Sequence, residues 1–433
     1  MYTHKSGEFP KRIRASANDN LNYLLRSGTD QQINFIFHLN GYIDPERMKK
    51  TVRLTMDAEP VLGCKYVINR RRTYWERRED LDELEYFTLI KSDNPEADIR
   101  KIVLYQIDPS IESVIQIKII RTKTNDILFI KSDHSVMDGG GFYDFLTLLC
   151  ETYNKLIEDP GYQVEPNVLA TRELNQVFKH YRFRKKMRSL LRDKGYIPTW
   201  SFPAIGTGRT KKTFTLRKIE PERFDRIKAY SKDRQATLND MFLTAVFRSL
   251  FELKKPVENK PMTIAVPTDL RVLMPTKKAE TIANLVSATF VSLKYNPDAT
   301  FDEMLLDINK QMTKKKDIHL GMGQTYMINN FFKLRYAWVR WITNKIYGGI
   351  YRRGKMHPII TNVGRVDAQR RHFGDVDVVD GYIITPINWA PSFSMGISSF
   401  NKRISFSVAF CEDSYDKRTI EQFLDLIFQE LPQ

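Results

Sequence analysis

The residues best suited to chemistry lie in one short run of this 433-residue chain, Ser132-Asp133-His134-Ser135-Val136-Met137-Asp138-Gly139, an H-x-x-x-D-G pattern. Histidine has an unperturbed pKa of about 6.5, so near neutral pH it is mostly uncharged and able to take a proton from a weak nucleophile. His134 is therefore the candidate base. The carboxylate four residues on has two compatible uses: it can orient the loop that carries the histidine, or cap the helix that opens at Gly139-Gly140-Gly141. No G-x-S-x-G elbow presents a serine nucleophile. Cys64, Cys150 and Cys411 are scattered with no C-x-x-C pair, which argues against a disulfide framework and a zinc knuckle and suits a reducing cytoplasm.

A base needs a rigid mount, and the flanking sequence predicts one. Ile127-Leu128-Phe129-Ile130 reads as a strand, and Phe142, Phe145, Leu146, Leu149 and Tyr153 are spaced to bury one face of a helix, so His134 falls in the loop between them. Upstream, Ile115, Ile117 and Ile119 alternate with polar residues, and Thr122 to Asp126 turn the chain into the histidine strand. Asp159-Pro160-Gly161 ends the helix, and a basic, partly helical connector runs to about Pro203. Strand and helix alternate again from Thr213. Thr237-Leu238-Asn239-Asp240 caps an apolar helix over Met241 to Leu253, Thr263 to Val266 and Ala288 to Leu293 read as strands, and Met395 to Phe400 pairs with Ile404 to Phe410 across Asn401-Lys402. The expected organisation is an α/β chain with a first half over 1–165, a connector over 166–205 and a second half over 206–433.

A hydrophobic share of 42% suffices for two cores, and 12% aromatic content argues against disorder. The first residues, Met1-Tyr2-Thr3-His4-Lys5-Ser6, lack the apolar stretch of a secretion signal, and no run approaches the length of a membrane span, so the expectation is a cytoplasmic protein. A net charge of +16 points to an anionic partner. Eight Lys and Arg fall between Lys179 and Lys194 against the single acid Asp193. From Ile318 to Val366 there is no acid, while Lys333, Arg335, Arg340, Lys345, Arg352 and Arg353 interleave with Phe331, Tyr336, Trp338, Trp341, Tyr347 and Tyr351. Three readings of that window stay open: a solvated basic face with aromatics turned inward, a surface for an anionic membrane or lipophilic substrate, and nucleic-acid binding, for which no motif speaks.

With these residues in place, the chain resembles the chloramphenicol-acetyltransferase-like acyltransferases, which include peptide condensation domains and stand-alone alcohol acyltransferases. The resemblance runs from about Phe35 to Leu431 and is carried, in order, by the His134 motif, Thr237-Leu238-Asn239-Asp240, Pro267-Thr268-Asp269-Leu270-Arg271 with Asn284 downstream, and Thr361-Asn362-Val363-Gly364-Arg365. It implies two similar halves, each a mixed sheet packed with helices, meeting at a V-shaped cleft with a central tunnel. Only the first half carries the histidine, since the matching strand end reads Phe410-Cys411-Glu412-Asp413, so one site per chain is expected.

The resemblance further implies transfer of an acyl group from acyl-coenzyme A, or from the phosphopantetheine arm of an acyl carrier protein, to an alcohol or amine. No bound cofactor is expected, the thioester being a substrate. His134 is then the general base and Asp138 the loop organiser, with Gly139 at the helix start. The arginine that usually answers this aspartate is expected at Gly63, and its absence leaves Lys65 or Arg271 to supply the charge. Thr361, Asn362, Ser392 and Ser394 are candidates for the oxyanion or substrate, and Arg365 for a phosphate. Asp133 before His134 departs from the doubled histidine of peptide condensation domains, and no D-F-G-W-G motif is present, so a stand-alone bacterial type is expected. The alternative is a catalytically idle module of the same fold that docks a carrier protein or lipid.

Overall fold

The computed structural model describes residues 9–192, 197–256, 258, 260–317, 321–366 and 371–433. Asp193 and Lys194 of the basic connector and Ile318 at the start of the acid-free window lie outside the described residues.

The histidine strand, Asp126–Asp133, is buried along its whole length. Its side chains alternate between two cores: Leu128 and Ile130 pack with Phe142, Phe145 and Leu149 of the helix Gly139–Glu158, while Ile127 and Phe129 pack with Ile99, Ile102 and Val103 of the helix Pro95–Leu104. Such burial on both faces is why this segment reads as continuously apolar rather than alternating. The strand lies inside a six-stranded mixed sheet ordered His372–Phe373, Val376–Ile384, Gln32–Leu39, Asp126–Asp133, Ile115–Arg121 and Phe87–Lys91. The predicted hairpin pairs Ile117 with Ile130 and Ile119 with Leu128.

A second six-stranded mixed sheet runs Val286–Lys294, Pro261–Asp269, Ile359–Val366, Ser394–Phe400, Arg403–Cys411 and Lys212–Ile219. Its core is filled by Phe242, Val246 and Leu250 of the helix Leu238–Lys254 and by Phe423, Leu424 and Ile427 of the helix Lys417–Glu430. Thr237 caps the first of these helices in a reciprocal box with Asp240. Asn401 and Lys402, both at positive φ (44° and 67°), make the two-residue turn between Ser394–Phe400 and Arg403–Cys411. A third, three-stranded sheet joins Arg12–Arg14, Thr73–Arg77 and Cys64–Ile68.

The described residues of 206–433 do not stay together as the sequence division expects. Val376–Ile384 crosses to the first sheet and pairs antiparallel with Gln32–Leu39, Tyr382 facing Ile36. The crossing buries Ile383 and Ile384 in the first-lobe cores and covers a strand edge that would otherwise be open. The three cysteines are buried and unpaired. Among the described residues no helix is long and apolar enough to cross a membrane, and no cluster of His, Cys, Asp and Glu could hold a metal ion.

Candidate active site

The loop after the histidine strand is held almost residue by residue. Asp133, fully buried, accepts from Gln32 Nε2 (3.0 Å), from the Ser135 backbone N–H (3.0 Å) and from the Arg26 guanidinium. His134 N–H donates to Gln31 O (2.9 Å), and His134 O accepts from Asn22 Nδ2 (3.1 Å). Ser135 O accepts from Asn284 Nδ2 (2.8 Å), and Val136 O from Arg172 Nη2 (2.8 Å). Asn22 belongs to the helix Ala17–Leu24, Arg172 to the connector and Asn284 to the second lobe, so three distant segments converge on three consecutive residues. Arg172 is itself fixed by Asp19 at 3.0 Å. A backbone pinned this densely gives a side chain one position rather than an ensemble.

Asp138 does both jobs the sequence allows. It is the N-cap of Gly139–Glu158, its Oδ1 accepting from Gly141 N–H at 2.7 Å, and its Oδ2 accepts from Leu285 N–H at 2.6 Å. Its counter-charge is Arg271, at 3.0 Å. Arg271 also meets Asp269 at 3.1 Å and donates to Ala283 O at 3.0 Å. Burial by itself would lower the Arg271 pKa, but Asp138 and Asp269 outweigh it and hold the guanidinium firmly charged. Lys65, the other candidate, pairs with Glu76 on the small sheet instead (3.6 Å). The space beside Gly63 is occupied by Arg77, which bonds Met56 O and Pro60 O and pairs with Asp57, away from the motif.

Two of the three glycines have a packing reason. A Cβ at Gly140 would overlap the Arg271 guanidinium, and one at Gly141 would come within 2.8 Å of Ala283 O. Only bare backbone lets the helix start approach the second lobe so closely. Gly139 faces Val363 across the same junction.

His134, half-buried, lines a cavity of about 390 Å³ walled by both lobes. Gln31, Phe35 and Tyr143 contribute from the first side; Thr361, Asn362 and Ser394 from the second. His134 Nδ1 lies 3.2 Å from Asn22 Nδ2, and Nε2 has no hydrogen-bond partner among the described residues. Thr361 and Asn362 thus share the cavity with the histidine, although the Asn362 carbonyl is engaged by Gly364 N–H (2.9 Å) and its amide lies 3.4 Å from Asn239. Ser394 reaches the cavity, but its hydroxyl is paired with Asn388 at 2.9 Å. Ser392 does not border it: its Oγ faces Tyr351 and Met356, and its carbonyl accepts from Tyr415 (2.5 Å). Arg365 is exposed and outside the lining, which leaves the expected phosphate contact without a place in this cavity.

Four residues of consequence escape the sequence reading. Asn22 and Arg172 act through loop backbone from segments with no motif. Tyr143 Oη and Gln31 Oε1 are buried on cavity-lining residues and have no hydrogen-bond partner among the described residues. Burial also raises the Tyr143 pKa and keeps the phenol a neutral donor.

Scanned against protein families, the chain matches none, and no curated protein matches it in sequence. Solved structures do match over nearly the whole chain. The trichothecene 15-O-acetyltransferase of Fusarium sporotrichioides is 11% identical with a TM-score of 0.70, covering 97% of this chain and 94% of its own. The first condensation domain of the CDA synthetase is 12% identical with a TM-score of 0.69 (98% and 96%), and the polyketide synthase associated protein 5 of Mycobacterium tuberculosis 13% with 0.66 (96% of each). At these identities the likeness is one of fold, and that fold is the chloramphenicol-acetyltransferase-like one expected from the motif order, with two sheets each packed by helices.

Proposed function

We propose that the chain is an acyltransferase that moves an acyl group from acyl-coenzyme A, or from a carrier-protein thioester, to an alcohol or amine. The observation that carries this reading is His134: an imidazole with its Nε2 unpartnered among the described residues, facing a cavity walled by both lobes, on a loop tied down by three distant segments. Nε2 takes the proton of the acceptor O–H or N–H as that atom bonds to the thioester carbonyl carbon. The carbonyl oxygen becomes the oxyanion of a tetrahedral intermediate, for which Thr361 Oγ1 and Tyr143 Oη are candidate donors from cavity-lining residues. Collapse breaks the C–S bond, and the imidazolium returns its proton to the departing thiolate, so the enzyme ends unchanged.

This sequence requires Nδ1 to carry the imidazole proton. Asn22 Nδ2 has two hydrogens and two carbonyl acceptors in reach, His134 O at 3.1 Å and Asn284 Oδ1 at 3.3 Å, so its hydrogens need not be aimed at Nδ1. In the proposed enzyme Asn22 spends its hydrogens on those two oxygens and leaves Nε2 as the basic nitrogen. The idle-module alternative loses its main support, because Arg271 supplies the counter-charge that Gly63 does not.

The test is thiol release from a panel of short to long acyl-coenzyme A thioesters with a mixed pool of alcohols and amines. Release that depends on the acceptor and is abolished in His134→Ala supports transfer and gives the preferred chain length. No release from any thioester, with loaded carrier proteins included as donors, contradicts it. The basic surface further predicts a KM for the donor that rises with added salt.

A further inference from the structure

The acid-free window folds into a surface with an unusual exposed face. Helix Tyr336–Arg353 buries Tyr336, Val339 and Thr343 and turns Trp338 and Trp341 outward, 61% and 59% exposed. At 100° per residue, Trp338, Trp341, Lys345 and Arg352 share one side of the helix, the side opposite those buried residues. Leu334, just before the helix, and Ile346 on its flank are also more than half exposed. The inward reading of the aromatics therefore holds for Tyr336 but not for the two tryptophans.

The N-terminal end of this helix lies on the first lobe, where Tyr336 N–H and Ala337 N–H donate to Arg71 O and Arg70 O. There a second cavity, of about 260 Å³, is bordered by Arg14, Arg71, Arg72, Lys333, Leu334 and Tyr336. Of its four cations only Arg14 pairs with a carboxylate among the described residues, Glu173 at 3.5 Å. The cavity also touches Ala17 and Asn20 of the helix Ala17–Leu24, whose Asn18, Leu21 and Asn22 line the histidine cavity. The basic pocket and the histidine cavity thus lie one helix apart.

From this geometry we infer that the helix Tyr336–Arg353 is a docking face for an anionic lipid bilayer, with Trp338 and Trp341 seated at headgroup depth and the pocket of Arg71, Arg72 and Lys333 receiving a lipid phosphate. Tryptophan has an apolar body and a polar N–H, and it favours the boundary between hydrocarbon and water. The two indoles stand on an exposed helix side and border neither cavity, a shape that meets a fluid surface more readily than a folded partner with its own fixed contour. The acid-free window contributes charge of one sign, and Glu173, which also borders the pocket, is taken up by Arg14; each basic side chain held near an anionic surface strengthens partitioning about fivefold. This inference concerns binding alone and does not depend on the proposed catalysis.

The experiment is cosedimentation of the full chain with vesicles of phosphatidylcholine alone or with about a third phosphatidylglycerol, at low and at about 0.5 M salt. The expected result is partitioning to the anionic vesicles only, weakened by salt and accompanied by a blue shift of tryptophan emission. Trp338→Ala with Trp341→Ala should reduce it about tenfold or more, and Arg71→Ala with Arg72→Ala should remove the anionic preference. Both pairs are exposed, so circular dichroism and thermal melts should match the parent. No binding to either vesicle, equal binding to both, undiminished binding by the tryptophan pair variant, or competition for this face by an acidic carrier protein would each overturn the inference.

Discussion

The same strand, loop and helix arrangement occurs twice in this molecule, and the two copies are tied down differently. In the first lobe, Asp126–Asp133 leads through His134 to Gly139–Glu158, and the loop between them is bonded to the helix Ala17–Leu24, the connector and the second lobe. In the second lobe, Arg403–Cys411 leads to Lys417–Glu430, and its loop is bonded within its own lobe to two segments, 208–211 and 390–392, the latter through Ala390 N–H to Ser414 Oγ (3.2 Å) and Tyr415 Oη to Ser392 O (2.5 Å). Glu412 N–H meets Lys211 O, Asp413 meets Thr210, and Ser414 Oγ meets Gly208 O. Both helices have an aspartate N-cap. Asp138 is buried against Arg271, whereas Asp416 caps Thr419 N–H and makes no ion pair among the described residues. The contrast teaches that the cap is the ordinary part of this architecture. What sets the first copy apart is cross-lobe anchoring, the expense a site incurs when a side chain must face a partner wall in one fixed pose.

The largest expected break in that contrast is Arg271→Ala. It leaves Asp138 buried without its counter-charge, a change that costs about 3–5 kcal/mol, and a thermal melt should show a drop of many degrees together with loss of activity. Asp416→Ala removes a partly exposed cap with no buried charge behind it, so its melt should move far less. Equal shifts would mean that the two caps are equivalent after all.

Asn22→Ala sharpens the comparison at the level of rate. It removes the amide that bonds His134 O and lies beside Nδ1, while the cap and its arginine stay in place. The expected result is a fall in kcat of about 10–100-fold with little change in KM and a small change in Tm. A matching rise in KM would instead assign Asn22 to substrate binding.

The smallest effect is a slope with pH. Asp30, beside the first-lobe strand end, is fully buried, with Oδ1 accepting from Ile387 N–H (2.8 Å) and Oδ2 unpartnered among the described residues. Burial pushes its pKa above the usual carboxylate range, against the pull of Lys131. The folded state then holds a proton that the unfolded state has released, so stability falls as pH rises from about 4. Asp30→Asn should flatten that fall in urea unfolding measured from pH 4 upward; an unchanged slope would show that Asp30 ionises freely in the fold.

Much of this was legible in the chain because local physics wrote it. The histidine strand and its helix follow from apolar runs and helical spacing, the Asn401-Lys402 turn from its residue types, and the Thr237 cap from its box with Asp240. The division into halves was less legible, because Val376–Ile384 joins the first sheet through pairing with residues more than 300 positions away. Arg271 was one of two candidates for the counter-charge, and only tertiary placement chose it over Lys65. Asn22, Arg172, Tyr143 and Gln31 left no local trace, since their roles depend on what they meet across lobe boundaries. Ser392 and Ser394 show the converse, two apart in sequence yet only one of them on the cavity.

The central claim is that the first strand end alone carries the base. Its most direct test is acceptor-dependent thiol release measured side by side in the parent, His134→Ala and Glu412→Ala, the last being an exposed residue at the matching position of the second lobe. The account predicts a loss of about 10²–10⁴-fold for His134→Ala with the fold intact, and parent-like rates for Glu412→Ala. A His134→Ala protein that turns over like the parent, or a Glu412→Ala protein that loses activity to the same degree, would contradict it.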